Sequence, residues 1–122
     1  MPKKASLALC AAAITAITLL PGSAVARPGV PNIAEWSRNT AGVKCVQNAL
    51  NVTSSAGLKV DGIFGPATLK AVKNFQAAFR IAQDGIVGPD TGGWLGWSYD
   101  QAMSSENNSL WLRSGCWNVV PS

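Results

Sequence analysis

The sequence predicts an all-α fold, a small three-helix bundle with an internal turn–helix repeat and a disulfide-tied C-terminal extension. A segment at Val60–Thr68, VDGIFGPAT, returns at Gln83–Thr91 as QDGIVGPDT, with six of nine positions identical. Apolar residues fall at helical spacing before, between and after the two copies. Two cysteines stand far apart in the same region, the number needed for one disulfide.

Each copy of the repeated motif predicts a turn followed by a helix. Asp-Gly is a strong turn signal, and Gly-Pro puts a permissive residue before a proline whose fixed φ suits the first helical position. Asp61 and Asp84 can each accept hydrogen bonds from backbone N–H groups within the turn. Ile63 and Ile86 are expected to point inward, which would fix the loops to the core.

The first helix is predicted from Thr40 to Asn51. Val43, Val46 and Leu50 fall on one face at helical spacing, and Thr40 is placed to cap the start.

The second helix is predicted to start at Pro66 and to span about 14 residues, because Leu69, Val72, Phe75 and Phe79 recur on one face. A third, shorter helix is predicted from Pro89. Its two adjacent glycines, at positions 92 and 93, are expected to weaken it by about 2 kcal/mol relative to alanine.

The N-terminus has the features of a secretory signal peptide. Lys3 and Lys4 precede an apolar run from Leu7 to Leu20, and small residues precede Arg27, where the mature chain is expected to begin. The apolar run is shorter than the roughly 20 residues of a membrane-spanning helix, so no membrane association is expected after cleavage. The predicted organisation is a signal peptide at 1–26, an arm at 27–39 with Trp36 on the core, a domain at 40–97, and an extension at 98–122.

Cys45 and Cys116 are the two cysteines of the expected mature chain. An even count in a small exported domain favours a disulfide over a metal site or a reactive thiol. Closing so long a loop stabilises a fold by about 4 kcal/mol in the chain-entropy model.

Composition disfavours catalysis, metal binding and nucleic-acid binding. The chain has no histidine, so the usual general base and the commonest zinc ligand are absent. Glu35 and Glu106 stand in polar, irregular stretches, and each motif offers one carboxylate where a calcium loop supplies several. Without Lys3 and Lys4 the net charge falls from +4 to about +2, too little for a nucleic-acid footprint. Neither cofactor nor enzymatic activity is expected.

From about Thr40 to Trp97, the chain resembles the peptidoglycan-binding domain family of secreted wall hydrolases and stand-alone wall proteins. The two motifs carry the resemblance, together with Val43-Lys-Cys-Val-Gln47 and Phe75-Gln76. It implies a three-helix fold with an internal repeat, no cofactor, and noncovalent binding of the wall polymer. The chain departs from the family pattern at Arg80, where glycine is usual, at Gly92, where an aromatic is often found, and in the extension.

A ligand-binding site is predicted at the two motif loops, which the repeat is expected to place at one end of the bundle around a common groove. Carboxylates would accept hydrogen bonds from sugar hydroxyls or amides, and aromatic rings would pack on sugar faces. Gln47 and Gln76 occupy equivalent helical positions, and burial to satisfy loop carbonyls is favoured over ligand contact. The predicted ligand-binding residues are Asp61, Gly62, Phe64, Asp84, Gly85 and Trp94.

The function predicted from these features is a secreted, non-catalytic module that binds the glycan or stem peptide of bacterial peptidoglycan. Because the mature chain is expected to hold this domain and its extension alone, the protein would act by itself or with a partner. One alternative is a protein-binding module, an inhibitor or a signal, that uses the extension as an interface. A minimal wall hydrolase is the less favoured alternative.

Overall fold

The computed structural model describes residues 29–103 and 109–122, so the predicted signal peptide and mature N-terminus lie outside the described residues. The described residues form helices and irregular segments, and their β-structure is one isolated bridge. The predicted all-α fold is confirmed. None of the helices in these ranges has the length and apolar character to cross a membrane. The helices are α1 (Thr40–Ser54), α2 (Pro66–Ala78), α3 (Pro89–Ala102), α4 (Leu110–Arg113) and α5 (Cys116–Val119).

Helix α1 lies at the centre of the fold and contacts α2, α3 and α5. The predicted apolar face is confirmed, since Val43, Val46 and Leu50 are fully buried. The same core includes buried side chains from the other helices, the motif loops and the extension: Ile33, Phe64, Val72, Phe75, Val87, Leu95, Trp111 and Val120.

The start of α1 is capped by Asn39, so the prediction that Thr40 caps it is wrong. The Asn39 Oδ1 accepts a hydrogen bond from the Gly42 N–H at 2.9 Å. Its Nδ2 donates to the Val119 carbonyl oxygen at 2.7 Å. An amide has an acceptor for the helix N–H and a donor for the extension, whereas a threonine hydroxyl has one proton to donate and is shorter.

Gly42 marks the place where the arm, α1 and the extension come together. A Cβ added at this position would lie 2.6 Å from the Val119 carbonyl oxygen and 2.7 Å from Ile33 Cδ1. Those distances are too short for any side chain, so glycine allows both segments to approach the helix.

Helix α2 is followed by Arg80, where the chain departs from the glycine of the family pattern. Arg80 takes the left-handed conformation, with φ of 56°. Its N–H donates to the Ala77 carbonyl at 3.1 Å, and the Ile81 N–H donates to the Gln76 carbonyl at 3.0 Å. This is the Schellman pattern, in which glycine is the usual residue at the left-handed position. Arginine ends the helix there at a cost of about 1 kcal/mol.

Helix α3 has 14 residues against 13 for α2, so the prediction of a shorter third helix is wrong. The extension covers it and explains two of its glycines. A Cβ at Gly92 would collide with the Pro121 carbonyl oxygen, and one at Gly96 would lie 2.8 Å from Cδ1 and Nε1 of the Trp111 indole. Packing of the extension therefore offsets the weak helix propensity of these residues.

The predicted disulfide is confirmed, since Cys45 on α1 is bonded to Cys116 on α5. A second attachment joins the extension to α3: the Asp100 carboxylate accepts hydrogen bonds from the Ser109 hydroxyl and from the Trp111 N–H. The extension is thus part of the folded domain.

The arm reaches the second motif through two backbone hydrogen bonds. The Ile33 N–H donates to the Val87 carbonyl at 3.0 Å, and the Val87 N–H donates to the Ile33 carbonyl at 2.8 Å. Ile33 is fully buried there, whereas Trp36 is 63% exposed. The prediction that Trp36 lies on the core is wrong, and the arm contributes Ile33 to the core instead.

Replacement of Gly92 by alanine should destabilise the protein by about 1–3 kcal/mol, because the methyl group would displace the backbone at Pro121. Gly93→Ala is the matched control, since a Cβ there meets no atom within 4 Å and alanine favours a helix by about 1 kcal/mol. Thermal and urea unfolding of both variants should show opposite shifts. Equal shifts would contradict the close packing of the extension on Gly92.

Candidate functional site

The first motif is held by the side-chain amide of Gln47, which is buried on α1. The Nε2 group contacts three acceptors: Asp61 Oδ1 at 3.1 Å, the Ile63 carbonyl at 3.0 Å and Thr68 Oγ1 at 3.1 Å. The Oε1 atom accepts the Gly62 N–H at 2.9 Å. The Asp61 Oδ1 also accepts the Ile63 N–H at 2.9 Å. One amide therefore satisfies the polar groups of the loop and joins it to the start of α2.

The second motif repeats this arrangement around Gln76 on α2. Its Nε2 donates towards Asp84 Oδ1, the Ile86 carbonyl and Thr91 Oγ1 at 2.9 to 3.0 Å. Its Oε1 accepts the Gly85 N–H at 3.0 Å, and Asp84 Oδ1 accepts the Ile86 N–H at 2.9 Å. The sequence repeat is thus a repeat of one hydrogen-bond pattern, and the predicted burial of both glutamines is confirmed.

The glycines of the two motifs are required by backbone conformation. Gly62 has φ of 80° and Gly85 has φ of 74°, a left-handed conformation that side chains disfavour. Both residues are buried beside the helix that carries the glutamine, so a Cβ would also meet Thr40 or Leu69. Asp61, Gly62, Asp84 and Gly85 therefore all have a structural role in the turns.

The residue that anchors the first loop in the core is Phe64, which is 6% exposed, and Val87 is its fully buried counterpart in the second loop. Ile63 is 68% exposed, so the prediction that it points inward is wrong. Both backbone groups of Ile63 are bonded on the inner side of the turn, which directs its side chain outward. Ile86 is half-buried.

The pKa of Asp61 is lowered from its ordinary value because its carboxylate accepts the Ile63 N–H and, secondarily, the Gln47 amide. Both donors stabilise the charged form. The carboxylate is therefore ionised at neutral pH and belongs to a hydrogen-bonded turn. A carboxyl group held in this way lacks the raised pKa of a general acid.

The two motifs line separate cavities. Asp61 and Ile63 line one of about 160 Å³ at the start of α2, and Asp84 and Ile86 line another of about 260 Å³ at the start of α3. The common groove expected from the repeat is not found among the described residues. The two cavities share no lining residue, and each loop packs against its own helix through its own glutamine.

The sixth predicted residue, Trp94, lies on a different surface. Its ring is 41% exposed, packs on Phe79 with centroids 5.0 Å apart, and meets the edge of Trp97 at 5.7 Å. Trp97 is 54% exposed. Both tryptophans line an open cavity of about 590 Å³ together with Asp90 and Gly93. The spacing of three residues between the tryptophans could have predicted this pairing, because such residues are neighbours on a helix.

The described ranges, 29–103 and 109–122, contain no group of three or more acidic or cysteine side chains that could hold a metal ion. Among these residues the chemistry available at the loops and at the tryptophans is hydrogen bonding and aromatic packing. Both suit noncovalent binding of a polar ligand with apolar faces.

Replacement of Gln47 by methionine should destabilise the fold by about 3 kcal/mol or more, because buried N–H and carbonyl groups of the first loop would lose their partners. Methionine keeps most of the side-chain volume. Asn48→Ala is the control, since Asn48 is exposed on the same helix and should change stability little. Thermal unfolding is the measurement, and a Gln47→Met melting temperature near that of the parent would contradict the central role of the amide.

Stability should fall as the pH drops below about 4, the usual range of an aspartate pKa, because the folded pKa of Asp61 lies below the unfolded one. Its contribution is present above the unfolded pKa and is lost as the pH falls through the folded pKa. Asp61→Asn keeps the acceptor and does not titrate. The difference in melting temperature between parent and variant should change between pH 5 and pH 2, roughly the range that linkage predicts. Parallel curves would contradict this assignment.

Residues 39–95 match the model of a family described as a peptidoglycan binding domain. The zinc D-Ala-D-Ala carboxypeptidase of Streptomyces albus G is 55% identical over 38 residues, which are 31% of this chain and 15% of that protein. An uncharacterized protein in the bpoA1 3′ region of Kitasatospora aureofaciens is 45% identical over 64 residues, 52% of each chain.

The autolytic lysozyme of Clostridium acetobutylicum is 39% identical over 51 residues, which are 42% of this chain and 16% of that protein. The chain thus spans about half the length of one of these relatives and less than a fifth of the other two. No solved structure matches. The matched segment contains both motifs and both glutamines, so the resemblance seen in the sequence is confirmed, and residues 39–95 are a match to the peptidoglycan-binding domain family.

Proposed function

We propose that this protein is a secreted, non-catalytic module that binds bacterial peptidoglycan through its glycan strand or its stem peptide. The observation that carries the proposal is the family match over residues 39–95, which includes both hydrogen-bonded motifs in full. The first 26 residues, which have the features of a signal peptide, support export to the extracellular side or to the cell wall.

The proposed ligand-binding residues divide into two groups. Asp61 and Asp84 carry carboxylates at accessible cavities, and Trp94 presents an aromatic face, so these three would contact the ligand. The other three proposed residues, Gly62, Phe64 and Gly85, are buried and would hold the loops in position.

The absence of histidine from the sequence supports a non-catalytic role, since no imidazole is available as general base or zinc ligand. The lowered pKa of Asp61 supports it too, because a glycosidase acid needs a raised pKa. The matches to a carboxypeptidase and a lysozyme cover 15% and 16% of those proteins, so most of each relative lies outside the shared region. Binding of the wall polymer is what such a shared segment would contribute.

A protein-binding role is the second candidate, and the apolar surface of the extension favours it. Leu112 and Trp117 are exposed there and line one cavity with Trp97. Aromatic side chains are enriched at protein interfaces. In this case the protein would be retained on beads that carry secreted proteins and not on purified wall.

The mature protein should sediment with purified insoluble peptidoglycan and should release neither reducing sugars nor free amines from it. Asp61→Asn and Asp84→Asn preserve the shape of the turns and remove the charge, so they separate a binding role from a structural one. If these variants melt like the parent and sediment less, the carboxylates contact the ligand. A parent that stays in the supernatant would contradict the proposal, and sustained product release proportional to protein concentration would contradict the non-catalytic role.

A further inference from the structure

Gly93 is a glycine of α3 that packing does not explain. Its neighbours Gly92 and Gly96 leave room for the extension, whereas a Cβ at Gly93 would have no atom within 4 Å. Glycine inside a helix lowers stability relative to alanine. Gly93 therefore leaves the backbone of α3 uncovered by a side chain at an exposed position, and this does not stabilise the fold.

Gly93 and Trp97 both line the same two cavities. The first, of about 590 Å³, also includes Asp90 and Trp94. The second, of about 330 Å³, lies between α3 and the extension. Because the cavities share these residues, they form one continuous surface, the α3 strip, whose principal residues are Asp90, Gly93, Trp94, Trp97, Trp111 and Trp117.

The strip has aromatic faces along its length and hydrogen-bonding groups towards both ends. Asp90 is exposed at the start of α3. At the other end the buried Trp111 lines the second cavity, and its Nε1 group has no hydrogen-bond partner in the described part of the chain. This edge of the indole lies over Gly96, which lines the same cavity. An unpartnered buried N–H is costly, and this one would gain an acceptor when a ligand group enters between the indole and Gly96.

We propose that the α3 strip binds a saccharide chain, with sugar rings in the two cavities that Gly93 and Trp97 line. A pyranose ring has an apolar C–H face, which packs on indole rings, and a polar edge of hydroxyl and amide groups. The bare backbone at Gly93 lets such a ring approach α3 closely. Asp90 would accept a hydrogen bond from one end of the chain, and Trp111 would donate one at the other.

A saccharide fits this surface better than a purely apolar partner does. An apolar side chain in the second cavity would leave the Trp111 N–H unpaired, and one in the first would desolvate the Asp90 carboxylate. The inference rests on the proposed function and assigns its ligand to the glycan moiety. It also gives the extension a direct role in binding, because Trp111 and Trp117 of the extension line the second cavity.

The test uses a soluble tetramer of N-acetylglucosamine, with affinity measured by calorimetry and by tryptophan fluorescence. Sedimentation with whole peptidoglycan is measured in parallel. The parent should bind the tetramer, and Trp97→Ala should weaken binding about tenfold, which corresponds to roughly 1.4 kcal/mol. Gly93→Ala should weaken binding as well while raising the melting temperature, a combination that a purely structural role would not produce. Trp36→Ala removes an exposed indole of the arm and should leave the affinity unchanged.

Different results would contradict the saccharide site and the proposed binding of peptidoglycan. If the parent sediments with peptidoglycan and does not bind the tetramer, the strip is not a saccharide site, and the proposed function stands. Tetramer affinity equal to that of the parent in both Trp97→Ala and Gly93→Ala would overturn the inference in the same way. A parent that binds neither material overturns the proposed function itself. Should Trp97→Ala fold poorly, Gly93→Ala decides the question alone.

Discussion

The fold depends on the hydrogen bonds of two buried glutamine amides. A loop that turns back onto a helix has N–H and carbonyl groups that water can no longer reach, and each needs a partner. Gln47 and Gln76 each supply donor and acceptor from one side chain and also bond a threonine in the next helix. One glutamine in each repeat therefore fixes the start of the following helix relative to the loop.

The extension is held in a different way, by close packing of its backbone against the backbones of two helices. Gly42, Gly92 and Gly96 have no side chains, so the extension packs directly against the α1 and α3 backbones. The Cys45–Cys116 disulfide and the Asn39 amide fix it in place. Trp111 and Val120 then complete the core, which suits a domain too small to bury much apolar surface with three helices.

Much of the fold could be predicted because its signals are local. Periodic apolar residues and the Gly-Pro starts gave α1 and α2, and the cysteine count gave the disulfide. The length of α3 and the burial of Trp111 could not be predicted, because they depend on which distant segment covers the glycines. The predictions for Trp36 and Ile63 are wrong because an apolar side chain alone does not show which of several nearby apolar residues is buried, and here the buried ones are Ile33 and Phe64.

The candidate site could be predicted only in part. The motif aspartates and glycines were identified from the sequence, but their principal interactions are within the turns, and the repeat does not create a shared groove. The position of Trp94 after the second motif predicts its place in the site, whereas the sequence alone indicates for Gly93 only a lower stability of the helix. A glycine shows its purpose only when the space around it is known.

The arm and the extension both contact Gly42, so the two ends of the domain lie close together. This closeness affects how the domain can be joined to other proteins. Ile33 and Val119 both lie against that glycine, so chain entering at one and leaving at the other would span a short gap. Domains whose two ends are adjacent tolerate insertion into a surface loop of a host protein. A segment from Ile33 to Pro121, which keeps Val120 in the core and Pro121 against Gly92, could be transplanted in this way with linkers of a few residues. Trp94 and Trp97 of α3 would stay exposed.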